Sequence, residues 1–360
     1  MRKITAVFIL SWCFCFAADA QKDSVKHTNF LVLPVIAKSI ETGWSAGAIG
    51  SLAFRSHPKD TTSRTSNMQV LALYSLKKQL VLAINGAQYS RHEKYILNEQ
   101  VSFSSFPDKF WGLGKYTKDD AFESYKYKQF YIYLHLMRKL APHFFIGGLF
   151  EFQELNDVEY LAGGLFDQQQ VVGRNGYKIA GLGMSVTYDT RNHAFAPGKG
   201  GLVQFYFNHF DQYLGSDYNY TNIVFDLRKY ITVGKKSVVA LQAYSFGNTG
   251  REVPLRSLAN LGGSNSMRGY YAGRFRNTNQ MVFQGEYRFP LYGRFGAVAF
   301  GGYGDVGKNF SDYTLGDFKY SLGAGLRFAL MKKEKLNLRL DYGIGQGNNS
   351  GLYFQLGEAF

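Results

Sequence analysis

The chain has 360 residues, a formal net charge of +14, 17% aromatic residues, and 40 glycines against only 7 prolines. After the first 20 residues no apolar run approaches the ~18 needed to cross a bilayer as a helix, which excludes a helical membrane protein. The basic residues are spread along the sequence rather than clustered, which argues against a nucleic-acid partner.

The first element is a leader. Met1-Arg2-Lys3 is a short basic head, Ile4 to Phe16 is an apolar stretch, and Ala18-Asp19-Ala20 is a small-x-small cleavage site, so residues 1–20 are predicted to be a removed signal peptide. The apolar stretch is too short for an anchor, which takes on the order of 20 residues. Trp12 is too bulky for the position before a lipidated Cys13. Cys13 and Cys15 both leave with the leader, so the mature chain is expected to contain no disulfide, thiolate nucleophile or Cys-bound zinc. Residues 21–28 are a short N-terminal segment, and 29–360 are read as one domain.

Alternation dominates that domain. In 126–136, Phe130, Ile132, Leu134 and Leu136 share one side while Tyr131, Tyr133 and His135 share the other. In 279–290, Met281, Phe283, Tyr287 and Phe289 alternate with Gln280, Gln284, Glu286 and Arg288. In 334–345, Leu336, Leu338, Leu340 and Tyr342 alternate with Lys335, Asn337, Arg339 and Asp341. One apolar and one charged face is the lipid-out, water-in pattern of a membrane-spanning strand. Strands are predicted at 43–55, 66–76, 79–91, 95–105, 124–139, 143–155, 175–190, 198–209, 219–231, 235–246, 279–290, 293–306, 319–331, 334–345 and 351–360. Residues 29–37 make the count even, as bacterial barrels require, at about sixteen. Pro34 restricts that strand to an edge. The predicted fold is therefore all-β: a transmembrane antiparallel β-barrel in the outer membrane of a Gram-negative bacterium. Short turns such as 140–142 and 331–333 fall on the periplasmic side. Long loops at 106–123, 156–174, 210–218, 247–278 and 307–318 fall outside. In the last strand Leu352, Phe354, Leu356 and Phe360 share the apolar side, with Glu358 on the same side at the water interface.

Candidate chemistry is sparse. Gly43-Trp44-Ser45-Ala46-Gly47 fits a nucleophile-elbow pattern, but it lies within alternating β sequence with no helix following. His135 faces the lumen with no partner identifiable, and His193 falls in a turn. No metal spacing or phosphate cradle is present. No cofactor is expected and the chain is read as no enzyme. Arg268 stands out. It lies in the longest loop beside Gly262, Gly263 and Gly269, which permit tight turns, and its planar guanidinium carries five donors. Docked into the lumen it would pin the loop to an acidic residue of the wall. Glu286 and Asp341 face inward by strand parity, with Arg288, Arg327 and Arg339 sharing the network.

The run Gly262-Gly-Ser-Asn-Ser-Met-Arg-Gly-Tyr270, followed by Glu286-Tyr-Arg-Phe-Pro290, resembles the barrel of the outer-membrane assembly-factor superfamily, the BamA and TamA type, also called the bacterial surface antigen family. Tyr188-Asp-Thr-Arg191 with Pro197-Gly-Lys-Gly200 resembles that family's Asp-x-Arg…Pro-x-x-Gly turn. The resemblance implies a loop motif of Met267, Arg268, Gly269 and Tyr270, and a periplasmic turn motif of Asp189, Arg191, Pro197 and Gly200. In relatives the arginine's partner is often an Asp of a Phe-x-Asp-x-Gly strand. Here Gly302 stands at that place, and Asp305 lies three residues on with opposite parity. The family inserts barrels or moves polypeptide or lipid at the outer membrane. Its mechanism implies a weak seam between first and last strands, for which Pro34, Gly357 and Phe360 are the candidates. Periplasmic POTRA domains, usual in client-receiving members, have no room in this mature chain, so a separate periplasmic delivery protein is the expected partner. Outer-membrane lipids and unfolded barrel or lipid clients are the others. A passive pore, a structural surface antigen and a hydrolase using Ser45 are the alternatives.

Overall fold

A computed structural model describes residues 28–39, 43–57, 60, 62–193, 196–331 and 335–360. The leader and the segment 21–27 lie outside the described residues. The strands are β1 (Thr28–Ser39), β2 (Gly43–Phe54), β3 (Ser66–Ser75), β4 (Leu80–Tyr89), β5 (Tyr95–Phe110) and β6 (Glu123–Ala141). They continue with β7 (Phe144–Glu159), β8 (Tyr177–Asp189), β9 (Gly200–Phe210), β10 (Tyr220–Val233), β11 (Ser237–Thr249), β12 (Ala259–Leu261) and β13 (Phe275–Asn277). The last are β14 (Asn279–Pro290), β15 (Phe295–Gly307), β16 (Lys319–Met331), β17 (Leu336–Gly345) and β18 (Ser350–Leu356). One 16-stranded antiparallel sheet contains all of them except β12 and β13, which pair with each other inside the long loop between β11 and β14. Neighbours in the sheet follow chain order, so the sheet is an up-and-down wall. Its ends, β1 and β18, come alongside each other; among the described residues no ladder joins them. The edges are unequal, at 12 residues in β1 and 7 in β18.

The wall is apolar outside and polar inside. On β10, Phe225 and Leu227 are 48% and 44% exposed, whereas Asp226 between them is 5% exposed. A water-soluble sandwich has the reverse arrangement. Every internal strand finds backbone partners on both sides, which is what a strand surrounded by hydrocarbon needs, because an unpaired amide there costs several kcal/mol. Pro34, opposite Ala48 in the edge strand β1, sits where a missing donor is tolerated.

At the long-loop end an aromatic cluster fills the interior. Phe110, Tyr125, Leu155, Phe166, Phe210 and Leu255 are among its members, which come from β5 to β10 and two loops. Strands β5 to β7 are longer than the alternation predicted, because they continue past the apolar belt to carry this cluster: Phe110 is fully buried on the extension of β5, and Leu155 is fully buried where the predicted part of β7 ends.

The chain end corrects the sequence reading. Strand β18 stops at Leu356 rather than continuing to Phe360. Gly357 adopts φ +83, and the tail turns into the lumen. Glu358 is buried there against Arg327 at 2.8 Å, and Asn337 donates to it at 2.7 Å. Phe360 packs on Tyr230 and Ala240 across the interior, and its carbonyl accepts from Arg288 at 3.1 Å. Phe360 is therefore not on the lipid face and not at the seam. The physical reason is charge: strand parity would have aimed Glu358 at lipid, and a left-handed glycine redirects it to guanidinium groups.

Candidate functional site

The 250–278 segment enters the lumen and lies against the inner wall of β14 to β18. Two glycines shape it. At Gly262 (φ +110) a side chain would collide with the Tyr271 carbonyl, and at Gly269 (φ +119) with the backbone of Ile344 and Gly345 on β17. Arg268, 2% exposed, reaches the wall between them. Its Nη1 donates to Asp341 of β17 and its Nη2 to Glu286 of β14. The guanidinium lies 3.6 Å from the ring centroid of Phe300 on β15. A fork held by two carboxylates over an aromatic face suits arginine and not lysine.

Both carboxylates are shared. Arg288 donates to Glu286 at 2.6 Å and Arg327 to Asp341 at 2.5 Å, while Arg339 stands 3.7 Å from Asp341. Glu358 of the inturned tail joins through Arg327 and Arg288. Burial alone would raise the pKa of Glu358, but these two guanidiniums overcome it and hold the carboxyl below its usual range.

The neighbouring residues of the motif hold the loop by other means. Met267 is fully buried and sits over Gly302, where an added Cβ would lie 2.8 Å from its sulfur. The loop thus occupies the space that a side chain at 302 would need. Asp305 is fully buried elsewhere, 3.7 Å from Lys115 and 3.8 Å from Lys319. The Tyr270 hydroxyl donates to the Tyr320 carbonyl at 2.9 Å and accepts from the Gln346 amide at 2.7 Å. Tyr353 of the edge strand β18 accepts from the Gly269 amide at 3.0 Å and donates to the Tyr270 carbonyl at 2.9 Å. Strand parity gives no sign of this link between loop and sheet edge, and the sequence reading missed it.

At the opposite end, Arg191 clasps Asp189 through two bonds of 2.9 Å. Arg64 of the β2–β3 loop donates to Asp189 at 2.5 Å and pairs with Glu93 at 2.9 Å. Gly200 (φ +96) lies so close to the Thr190 carbonyl that no Cβ fits, and Pro197 is buried in the same turn.

Two further candidates sort differently. Ser45 sits within β2, in register with Ser75, so the glycine-flanked serine is strand rather than elbow. His135 is not alone, which corrects the sequence reading: its Nε2 lies 2.6 Å from Ser185 Oγ. The two are on β6 and β8, and the contact crosses Gly147 of β7, where a Cβ would strike both. Both are buried, and among the described residues no carboxylate is hydrogen-bonded to the ring.

Comparison with known proteins agrees with this architecture. No curated protein sequence matches the chain. Among solved structures it is similar to CdiB from Escherichia coli, with a TM-score of 0.61 at 12% identity over 91% of this chain and 62% of that one. CdiB from Acinetobacter baumannii gives 0.60 at 12% identity, over 93% and 60%. BamA from Haemophilus ducreyi lacking POTRA domains 1–3 gives 0.55 at 13% identity, over 92% and 69%. At these identities the likeness speaks for the fold, and the chain spans less than two thirds of the CdiB chains. The Omp85 superfamily domain matches residues 85–360, and the chain belongs to the Omp85 superfamily.

Proposed function

We propose that this barrel works in the outer membrane as an insertion or translocation device for protein or lipid clients, delivered by a separate periplasmic partner. The observation that carries the reading is the docked loop. Arg268 is bound by Glu286 and Asp341, and the same loop is bonded to the edge strand through Tyr353. A loop that braces both the wall and one side of the sheet's open edge couples the state of the lumen to the state of that edge. A passive pore needs neither coupling nor an aromatic cluster filling its long-loop end. The turn built on Asp189, Arg191, Pro197 and Gly200 keeps the opposite end rigid. Pro34 leaves the β1 edge short of a donor, and Gly357 ends the β18 edge early by turning the tail inward. In this reading no residue acts as a catalyst.

The test is depletion followed by proteomics and lipid analysis of the same outer membranes. Loss of a defined set of barrels or lipids, restored by the wild-type chain and not by Arg268→Ala, supports the proposal and names the clients. An unchanged membrane, together with steady conductance of the purified protein in a planar bilayer, favours the pore.

A further inference from the structure

A second feature of the lumen lies away from the docked loop. A cavity of about 440 Å³ is bounded by β3, β4, β5 and β6, with Gly357 and Glu358 of the inturned tail along one edge. Its lining is dominated by carboxamides: Asn67, Gln69, Asn85, Asn98 and Gln100, with Tyr133 beside them. Register explains the grouping. Gln69 is opposite Asn85, Asn85 opposite Gln100, and Gln100 opposite Tyr133. One row of polar side chains therefore crosses four strands at intervals of about 4.8 Å. Asn98 and Asn67 stand one step along the strands from this row.

Among the described residues, the carboxamides of Gln69, Asn85, Asn98 and Gln100 are hydrogen-bonded to no other protein group. Each offers two donors and an acceptor. They are half-buried and face the lumen, so water can bond them in the free barrel and a ligand with matching hydroxyls can take its place. The charged lining groups Glu358 and Arg191 are of opposite sign and leave no strong field for an ion, and the Glu99 side chain is on the other face of the sheet, bonded to Gln88. The volume is in the range of small-molecule pockets, about 300–1,000 Å³. A polypeptide in transit would need the far end open, and that end is filled by Phe110, Phe166 and their neighbours.

We propose that this cavity is a binding site for an uncharged polyhydroxylated ligand of one or two sugar rings, free or as the end of a longer glycan. Closely spaced hydroxyls match the amide row, each able to donate and accept, and the ring of Tyr133 supplies an apolar face for the C–H surface of a pyranose.

The probes are cellobiose, maltose and N,N′-diacetylchitobiose, titrated calorimetrically into the full barrel. A detergent without sugar head groups is essential, because a maltoside would occupy the site. The expected result is saturable binding of at least one disaccharide. The Gln69→Leu/Asn85→Leu/Gln100→Leu variant should bind about tenfold more weakly or worse, the direction expected when several hydrogen bonds are lost. Folding of the variant is checked by heat-modifiable gel mobility; if it does not fold, Gln100→Leu alone is expected to weaken binding about threefold or more. A tetrasaccharide that binds more tightly than its disaccharide identifies a glycan chain end as the source, and equal affinity identifies a free sugar; both support the site. Absence of binding by all three disaccharides, unchanged affinity in the variants, or tighter binding of an uncharged Gly-Ser hexapeptide would overturn it.

Discussion

Arg268→Ala is the sharpest perturbation available. The side chain is buried and bonded to two carboxylates whose side chains are fully buried. Removing one member of a buried pair costs about 3–5 kcal/mol, because the orphaned charge keeps its desolvation penalty. Here the low end applies. Glu286 retains Arg288 at 2.6 Å, and Asp341 retains Arg327 at 2.5 Å. Arg268, Arg288, Arg327 and Arg339 surround Glu286, Asp341 and Glu358, so the loss of one cation leaves the remaining charges matched. A cost of about 3 kcal/mol is expected for alanine, and about 1–2 kcal/mol for lysine, which keeps the charge and loses the fork. The assay is urea unfolding of the protein in phospholipid vesicles, read by fluorescence, alongside protease cleavage within 250–278. Arg268→Ala should unfold at lower urea and expose the loop. In a cycle with Asp341→Asn the two effects should be less than additive. A stability change under about 0.5 kcal/mol, within the scatter of surface substitutions, together with an uncleaved loop, would refute the argument that the loop is held by this pairing.

Four other outcomes follow from named contacts. Gly343→Ala places a Cβ 2.5 Å from the Arg268 carbonyl, so the loop should undock, seen as new protease sites, while heat-modifiable mobility reports an intact wall. Gly302→Asp should cost about 1–3 kcal/mol by overpacking against Met267, and Met267→Ala in the same chain should recover most of it in the urea assay. Phe360→Ala removes a buried ring from Tyr230 and Ala240 and is expected to cost about 3 kcal/mol without altering the β17–β18 pairing followed by amide exchange. Burial pushes the Tyr270 phenol up to about 12. Its folded pKa lies above the unfolded value of about 10, so its contribution is complete below pH 10 and fades as pH rises toward 12. Loop protection from protease should fall in that window, and Tyr270→Phe should remove the component of the fall that belongs to this residue.

The wall was legible because lipid imposes a strict rule on it. Strands such as 279–290 declare themselves by Met281, Phe283, Tyr287 and Phe289 facing one way and Gln284, Glu286 and Arg288 the other, and no tertiary context relaxes that rule inside hydrocarbon. The tail was misread because alternation persists through 352–360 while a single left-handed residue, Gly357, breaks the geometry behind it. The contact of His135 with Ser185 needed the register of three strands and the absence of a side chain at Gly147, neither of which a single strand's pattern carries. Tyr353 illustrates the same limit: its parity says that it faces inward, and only the path of the 250–278 segment shows what it meets there. The carboxamide row was hidden for a simpler reason, since Asn and Gln on separate strands form a row only once the strands are aligned.

The aromatic cluster at the long-loop end has a thermodynamic consequence. Among the described residues it is the largest buried cluster stabilised as an ordinary water-soluble core is, by removing apolar surface from water. The wall below it is held differently, by lipid-facing side chains set in the bilayer and by a backbone paired strand to strand. Apolar hydration is the source of the positive heat-capacity change of unfolding, so a local opening of this end, with the wall still in the bilayer, should carry that signature from Phe110, Phe166, Leu155, Leu255 and their neighbours. Cooling weakens the hydrophobic drive and would therefore loosen the crown of the barrel while the paired strands below it stay joined.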